Sequence, residues 1–277
     1  MRAFDEFKDS PMSFWAFIRF VTERLGYSKD GKINRYTKEK IEKVCNSNGI
    51  YHYDKLVNDA IKYTDMRANL LSDFVKSHLM TGEEAHNEFN LLYPMYQKEH
   101  FFCQLPLNKQ KGEMKQIAYF TAIINILTEK TIRNITGNYH DLGFDDDPRG
   151  LTYVYDDKHS IIGASSRRFD GAYPSINNPT IVWEIKEYYY NKSFGSRIAD
   201  GVYETQLDGY EFRDLRRTYD YKVYHVLFVD SYHTWWDLGK SYLCRLIDIL
   251  NSGAVDEIII GREVFDRWPK LLNQFVK

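Results

Sequence analysis

The stretch TIVWEIKEYYY, residues 180–190, constrains this chain more than any other. Its aliphatic and aromatic residues read as a buried strand, yet it carries an acid, Glu184, and a base, Lys186, two positions apart. Burying a carboxylate and an ammonium is costly unless each is paired or used. Side chains alternate along a strand. Val182, Glu184 and Lys186 therefore share one face, and Ile181, Trp183 and Ile185 the other. The apolar set packs beneath while the acid and the base project together, so the fold must cover one face and employ the other.

The flanking pattern is that of an α/β core. TYVYD, SIIGAS, RRFDGAY and TIVWEIKEYY are strand-like, with Asp, Asn, Gly and Pro between them. SRIADGVYETQLDGYEFRDLRR reads as a helix, KVYHVLFVDS as a strand, WDLGKSYLCRLIDILNSG as a helix, DEIIIG as a strand and REVFDRWPKLLNQF as a last helix. This alternation predicts a central mixed sheet flanked by helices. Ahead of it, GEMKQIAYFTAIINILTEKTIRNI, 112–135, reads as a leading helix.

The first hundred residues read as helices throughout. SFWAFIRFVTERL starts with Ser13 as N-cap, YTKEKIEKVCNS with Thr37, and YDKLVNDAIKYTDMRANLLSDFVKSHLM forms a longer helix. TGEEAHNEFNLLYPMY opens on a Thr81/Glu84 capping box and is expected to kink or end at Pro94. The division is thus an all-helical region, 1–105, and an α/β domain, 106–277, joined at QLPLNKQKG.

Composition narrows the partners. With 277 residues the chain can build one large domain or two modest ones. A net charge of −2 means that an anionic partner must be met by local patches. Cys45, Cys103 and Cys244 lie far apart and form no CxxC, so neither a disulfide framework nor a zinc site is expected, and a reducing cytoplasm fits. MRAFDEFKDSPMSF is too acidic for a signal peptide, and no segment approaches the roughly 18 apolar residues of a membrane span.

Fourteen positions before Glu184 stands Asp170, in RRFDGAYPSINNP. The Gly, Pro and Asn residues between them predict a turn that folds the strand bearing Asp170 back beside the strand bearing Glu184. Two converging carboxylates suit a hard divalent cation such as Mg²⁺, with positions left open for a phosphate. Lys186 can then orient or deprotonate water, or neutralise developing charge, and a cation nearby would lower its proton affinity. The competing account of the ExK triplet is a salt bridge at a strand end.

Asp170…Glu184-Ile185-Lys186 resembles the D…(D/E)xK signature of the PD-(D/E)XK nuclease superfamily over residues 106–260. The order of a leading helix, a β-meander carrying the acids, a helix and a strand is similar too. The resemblance implies a restriction-endonuclease-like core and Mg²⁺ (or Mn²⁺) held by Asp170, Glu184 and the main-chain carbonyl of Ile185, with Lys186 assisting the water. The Pro that precedes the first acid in the family is Phe169 here. Gln206 and Tyr210, four apart on one helix face, resemble the QxxxY element of the RecB-like branch. Glu113 stands where some members place an extra metal or water contact; an N-terminal acid complementing a helix dipole explains it equally.

Basic residues near this constellation are candidates for DNA phosphate contacts: Lys109, Lys111 and Lys115; Arg167 and Arg168; Arg213, Arg216 and Arg217. Alternation puts Arg168 on the face of Asp170. Asp145-Asp146-Asp147 reads as a solvated turn. In the helical region, Lys38, Lys40 and Lys43 would lie on the second helix of a helix-turn-helix-like piece, although the connection is long for that motif; a cap on the sheet or a dimerisation surface are the alternatives. The activity implied is a Mg²⁺-dependent endonuclease acting on double-stranded DNA, most simply a type II restriction enzyme working as a C2 homodimer. A non-specific, repair or defence nuclease, or a non-catalytic nucleic-acid-binding module, are the other readings.

Overall fold

The computed structural model describes residues 1–108, 116–191 and 193–277. Its helical half opens with α1 (Met12–Leu25), a small hairpin of β1 (Ser28–Lys29) and β2 (Lys32–Ile33), and α2 (Lys38–Ser47). α3 (Asp54–Asn69) runs through a π-helical segment, Leu70–Val75, into α4 (Lys76–His78). α5 (Gly82–Lys98) and α6 (Tyr119–Thr136) follow. Then come the hairpin of β3 (Tyr153–Tyr155) and β4 (Ile161–Ala164), β5 (Gly171–Tyr173), β6 (Ile181–Glu187), α7 (Ser196–Tyr219), β7 (Tyr224–Asp230), α8 (Lys240–Asn251), β8 (Glu257–Ile260) and α9 (Val264–Leu272).

Several helix boundaries follow from local chemistry. The capping box forms: the Glu84 N–H donates to Thr81 Oγ1 at 3.2 Å, and the Thr81 N–H to Glu84 Oε2 at 2.8 Å. Thr37 flanks α2, whereas α1 starts one residue before Ser13, with Pro11 at its N-cap position. Pro94 neither ends nor breaks α5, which runs on to Lys98. Asn90, whose carbonyl loses its usual donor to that proline, is exposed, so water can take the place of the missing N–H. α6 starts later than the sequence suggests because Ile117 is engaged in an antiparallel bridge with Leu107.

The sheet is mixed, in the order β5-β6-β7-β8. β5 lies antiparallel to β6, and β6, β7 and β8 are parallel, with α7 and α8 as the crossovers. β6 is therefore an inner strand, as its apolar run demands. Trp183 faces α9, where its ring meets that of Trp268 at 5.2 Å, and it shares a core with Phe120 and Ile124 of α6. Val182, on the opposite face, packs with Phe169 and with Leu215 of α7.

Gly171 lies directly opposite Trp183 in the β5–β6 register, and a Cβ there would come within 2.2 Å of the indole. A bare backbone is what lets Trp183 cover β5, and it fixes the position of Asp170 next door.

α1, α2 and α3 share a core of their own around Phe14, Ile18 and Tyr63, while α5 packs with α6 on the sheet. The helical layer is tied to the α/β core by Arg67, which is fully buried and reaches Asp248 of α8 through bonds of 2.8 and 2.9 Å. Tyr63 donates to the same carboxylate at 2.6 Å, and the guanidinium lies over the rings of Tyr27 and Tyr63. Cys45, Cys103 and Cys244 belong to three different cores.

Two outcomes follow for stability. Gly171→Ala should cost about 1–3 kcal/mol of unfolding free energy through overpacking against Trp183, read by urea denaturation; an unchanged midpoint would show that the indole yields freely. Arg67→Met strands the buried Asp248 carboxylate and should cost roughly 3–5 kcal/mol, checked in the same assay.

Candidate active site

The N-terminal end of β5 and the C-terminal half of β6 bring the two predicted carboxylates together. Asp170 donates its N–H to the Trp183 carbonyl at 3.0 Å, and its Oδ2 accepts the Ile185 N–H at 2.7 Å. A main-chain N–H and C=O of one strand residue point to the same edge, so the Ile185 carbonyl also turns toward Asp170. Glu184 and Lys186 point to the α7 side, both buried, and the Lys186 Nζ lies 2.6 Å from Glu184 Oε1. Gly201 of α7 leaves the space for that ammonium: a Cβ there would sit 3.1 Å from Nζ. Both groups line a cleft of about 680 Å³ together with Asp170 and Ile185.

Arg167 is the further member of this cluster. Its Nη2 donates to Glu184 Oε1 at 2.6 Å and its Nη1 to Asp208 Oδ2 at 2.9 Å, with Glu204 Oε2 at 3.4 Å. Asp208 is fully buried on α7. Residues 165–170 form a bend rather than a strand, so alternation does not apply there. This corrects the expected placement: Arg167, not Arg168, faces the acids, and Arg168 is exposed. Arg167 is also engaged with carboxylates rather than offered outward.

Electrostatics follow from burial. Asp170 is pushed up to about 7, first by loss of water and then by the Glu184 charge. Burial works to raise Glu184 as well, but Lys186 and Arg167 together outweigh it and hold that carboxyl below its usual range. Burial works to lower Lys186; the Glu184 charge reverses this and raises it. Beside Glu184 the Lys186 ammonium is thus kept charged. Asp208 is pushed up to about 7, and so is Glu187, mainly by burial. Glu187 caps α6, accepting from the Thr121 N–H at 3.0 Å and the Thr121 hydroxyl at 2.9 Å.

The donor set suits a hard cation. Glu184 Oε2 is buried and has no hydrogen-bond partner among the described residues, while Oε1 takes both bases. With Asp170 beside it and the Ile185 carbonyl on the same edge, oxygen ligands converge and the cleft leaves positions open for water or phosphate. Among the described residues, three or more His, Cys, Asp or Glu side chains are nowhere grouped to hold a metal, so a cation here would rely on this pair, the main chain and solvent.

Other predicted residues lie elsewhere. Gln206 donates to the Tyr210 hydroxyl at 2.7 Å, and neither lines the cleft. Arg213 stacks over Tyr210 at 4.6 Å on exposed helix surface. Glu113, Lys109, Lys111 and Lys115 lie outside the described residues. The Asp145–Asp147 run is not a solvated turn: Asp145 Oδ2 accepts the Ile176 N–H, Asp146 is buried and accepts the Gln104 N–H, and Asp147 lines the cleft. Glu204 and Asp208 escaped the sequence reading, although their spacing of four on α7, after Gly201, marks one helix face.

A family model described as a domain of unknown function (DUF7687) matches residues 80–275, and a second such domain (DUF7690) matches residues 1–74. No curated protein and no solved structure matches the chain. Among the described residues, no helix is long and apolar enough to cross a membrane.

The raised Asp170 carries a pH signature. The unfolded chain releases this proton near the ordinary carboxylate value and the folded chain only near 7. Asp170 therefore favours the fold fully below about pH 4, and that contribution is lost as pH rises to about 7. The difference in unfolding free energy between the wild type and Asp170→Asn, measured in chelator, should shift against the wild type across this window. A difference that is flat with pH would show that Asp170 titrates normally.

Proposed function

We propose a metal-dependent phosphodiester hydrolase for this chain, which belongs to the DUF7687 family. The reading is a restriction-endonuclease-like nuclease acting on double-stranded DNA with Mg²⁺ or Mn²⁺, most simply a type II enzyme. The observation that carries it is the convergence of Asp170 and Glu184 on one edge of β6, with a Glu184 oxygen that has no partner among the described residues and Lys186 beside it. The order of elements supports it. α6 precedes the antiparallel pair β5–β6, Asp170 stands just before β5 and Glu184 lies on β6, and α7 crosses to the parallel strand β7. Ahead of β5, Asp145 forms an antiparallel bridge with Ala172, at the place of a first meander strand.

Asp170, Glu184 and the Ile185 carbonyl would hold the cation, which when bound polarises a phosphate and makes water a nucleophile at neutral pH. The chain's own groups do the rest. Lys186, kept charged by Glu184, stabilises negative charge developing on the phosphate rather than taking the proton. Gly201 fixes where that ammonium sits. Glu204, half-buried at the cleft wall within 3.6 Å of Lys186 Nζ, is placed to accept a proton from water at its Oε2. A two-fold homodimer would present one such cleft to each strand of a duplex.

Plasmid DNA incubated with Mg²⁺ should be cut, into discrete fragments by a site-specific enzyme and into a smear by a non-specific one. Lys186→Ala should lower the rate at least a hundredfold and leave DNA binding intact. Binding without cleavage by the wild type, or wild-type cleavage by Lys186→Ala, would overturn the assignment.

A further inference from the structure

Glu184 Oε1 is held by two bases at once. Lys186 is on the same strand, and its presence is part of the nuclease reading. Arg167 comes from a bend before β5 and is fastened at its other end to Asp208. Asp208 is fully buried, and its Oδ1 has no hydrogen-bond partner among the described residues, so this carboxylate has given up water to hold the guanidinium. Glu204 flanks the same guanidinium at 3.4 Å. Three acids from two elements thus converge on one arginine.

From this geometry we infer that Arg167 is a built-in counter-charge that competes with divalent cations for Glu184 and holds its affinity for them down. The inference rests on the reading of Asp170 and Glu184 as cation ligands and adds a control on it. A positive charge in direct contact with a ligand carboxylate opposes a divalent cation at the same group by Coulomb repulsion in a poorly hydrated site. It also engages one of the two oxygens that a cation could use. Cation entry must therefore work against Arg167 or displace it. Asp208 offers the guanidinium somewhere to remain, so Arg167 can leave Glu184 without leaving the site. Once off Glu184, its free N–H groups face the cleft it lines, where a phosphate is a suitable partner for a planar donor fork. Arg167 acts through Glu184 and is a positioning residue.

The test is Mn²⁺ binding by calorimetry, without nucleic acid, on the intact chain and two variants, with folding checked by circular dichroism. Arg167→Met removes the charge; Arg167→Lys keeps it but loses the planar fork and the reach that span Glu184 and Asp208. Both should bind Mn²⁺ at least about threefold more tightly than the wild type. Arg167→Met leaves the buried Asp208 without its guanidinium and can fail to fold, in which case Arg167→Lys decides alone. Wild-type affinity in Arg167→Lys would mean that Arg167 acts, if at all, only as a distant charge, and would overturn the inference; weaker binding would overturn it too. Glu184→Gln separates the two levels. If the wild type binds Mn²⁺ and Glu184→Gln does not, the ligand reading stands whatever Arg167 does. If the wild type binds none, both fall.

Discussion

A carboxylate inside a mixed sheet is the constraint from which much of this molecule follows. Glu184 sits on an inner strand and shows almost no surface to solvent. In a medium of low polarity its charge must be met at close range or lost to protonation. The structure meets it with two bases on one oxygen, and each then needs a place of its own. Lys186 finds it against the bare backbone of Gly201. Arg167 finds it at the fully buried Asp208. α7 is thereby committed: Gly201, Glu204 and Asp208 form the face it must present to the sheet, and the helix cannot rotate without stranding a charge.

The two faces of β6 divide the labour. The Trp183 face is fastened by aromatic packing on α6 and α9, and the absence of a side chain at Gly171 lets that packing run under β5. The Glu184 face is polar. Both crossovers run parallel, so the carboxyl ends of β6 and β7 open at one edge, where open α/β sheets generally place their ligand crevices. Buried acids collect there: Glu187 caps α6, and Asp230 at the end of β7 accepts from the Tyr189 hydroxyl and from the N–H of Met80 at 2.8 Å. The last contact joins the connection between α4 and α5 to the sheet, so the crevice edge is also where the helical layer is fastened.

The sequence carried some of this plainly and some not at all. Strand alternation was enough to separate Glu184 and Lys186 from Trp183, because a long inner strand is regular. The same rule failed at Arg168, because alternation requires extended backbone and residues 165–170 bend. The Asp145–Asp147 run looks solvated by composition, yet two of its carboxylates are consumed by backbone N–H groups of distant loops, a tertiary pairing with no local signature. The ion pairs of Arg167 were hidden for the same reason: two of its acids, Glu204 and Asp208, lie on a helix more than thirty positions away. Pro94 does not end α5 because a proline is compatible with a helix interior wherever the carbonyl it abandons stays wet.

The charge of the crevice argues for an order of events. Asp147, Asp200 and Glu204 line it along with Asp170 and Glu184, and the bases lining it among the described residues are Arg167 and Lys186. Both bases are already spent on these acids. These acids oppose a polyanion at that part of the wall. Under the proposed function, a cation at Glu184 would lower their charge ahead of a phosphodiester, and Arg167 would come off Glu184. Cation and substrate then each remove an obstacle to the other: the cation neutralises the wall, and the phosphate offers the released guanidinium a new partner. Coupling of this kind needs no moving domain. It follows from one arginine with two buried acids to choose between, and it would keep a hydrolytic site quiet until both of its ligands are present.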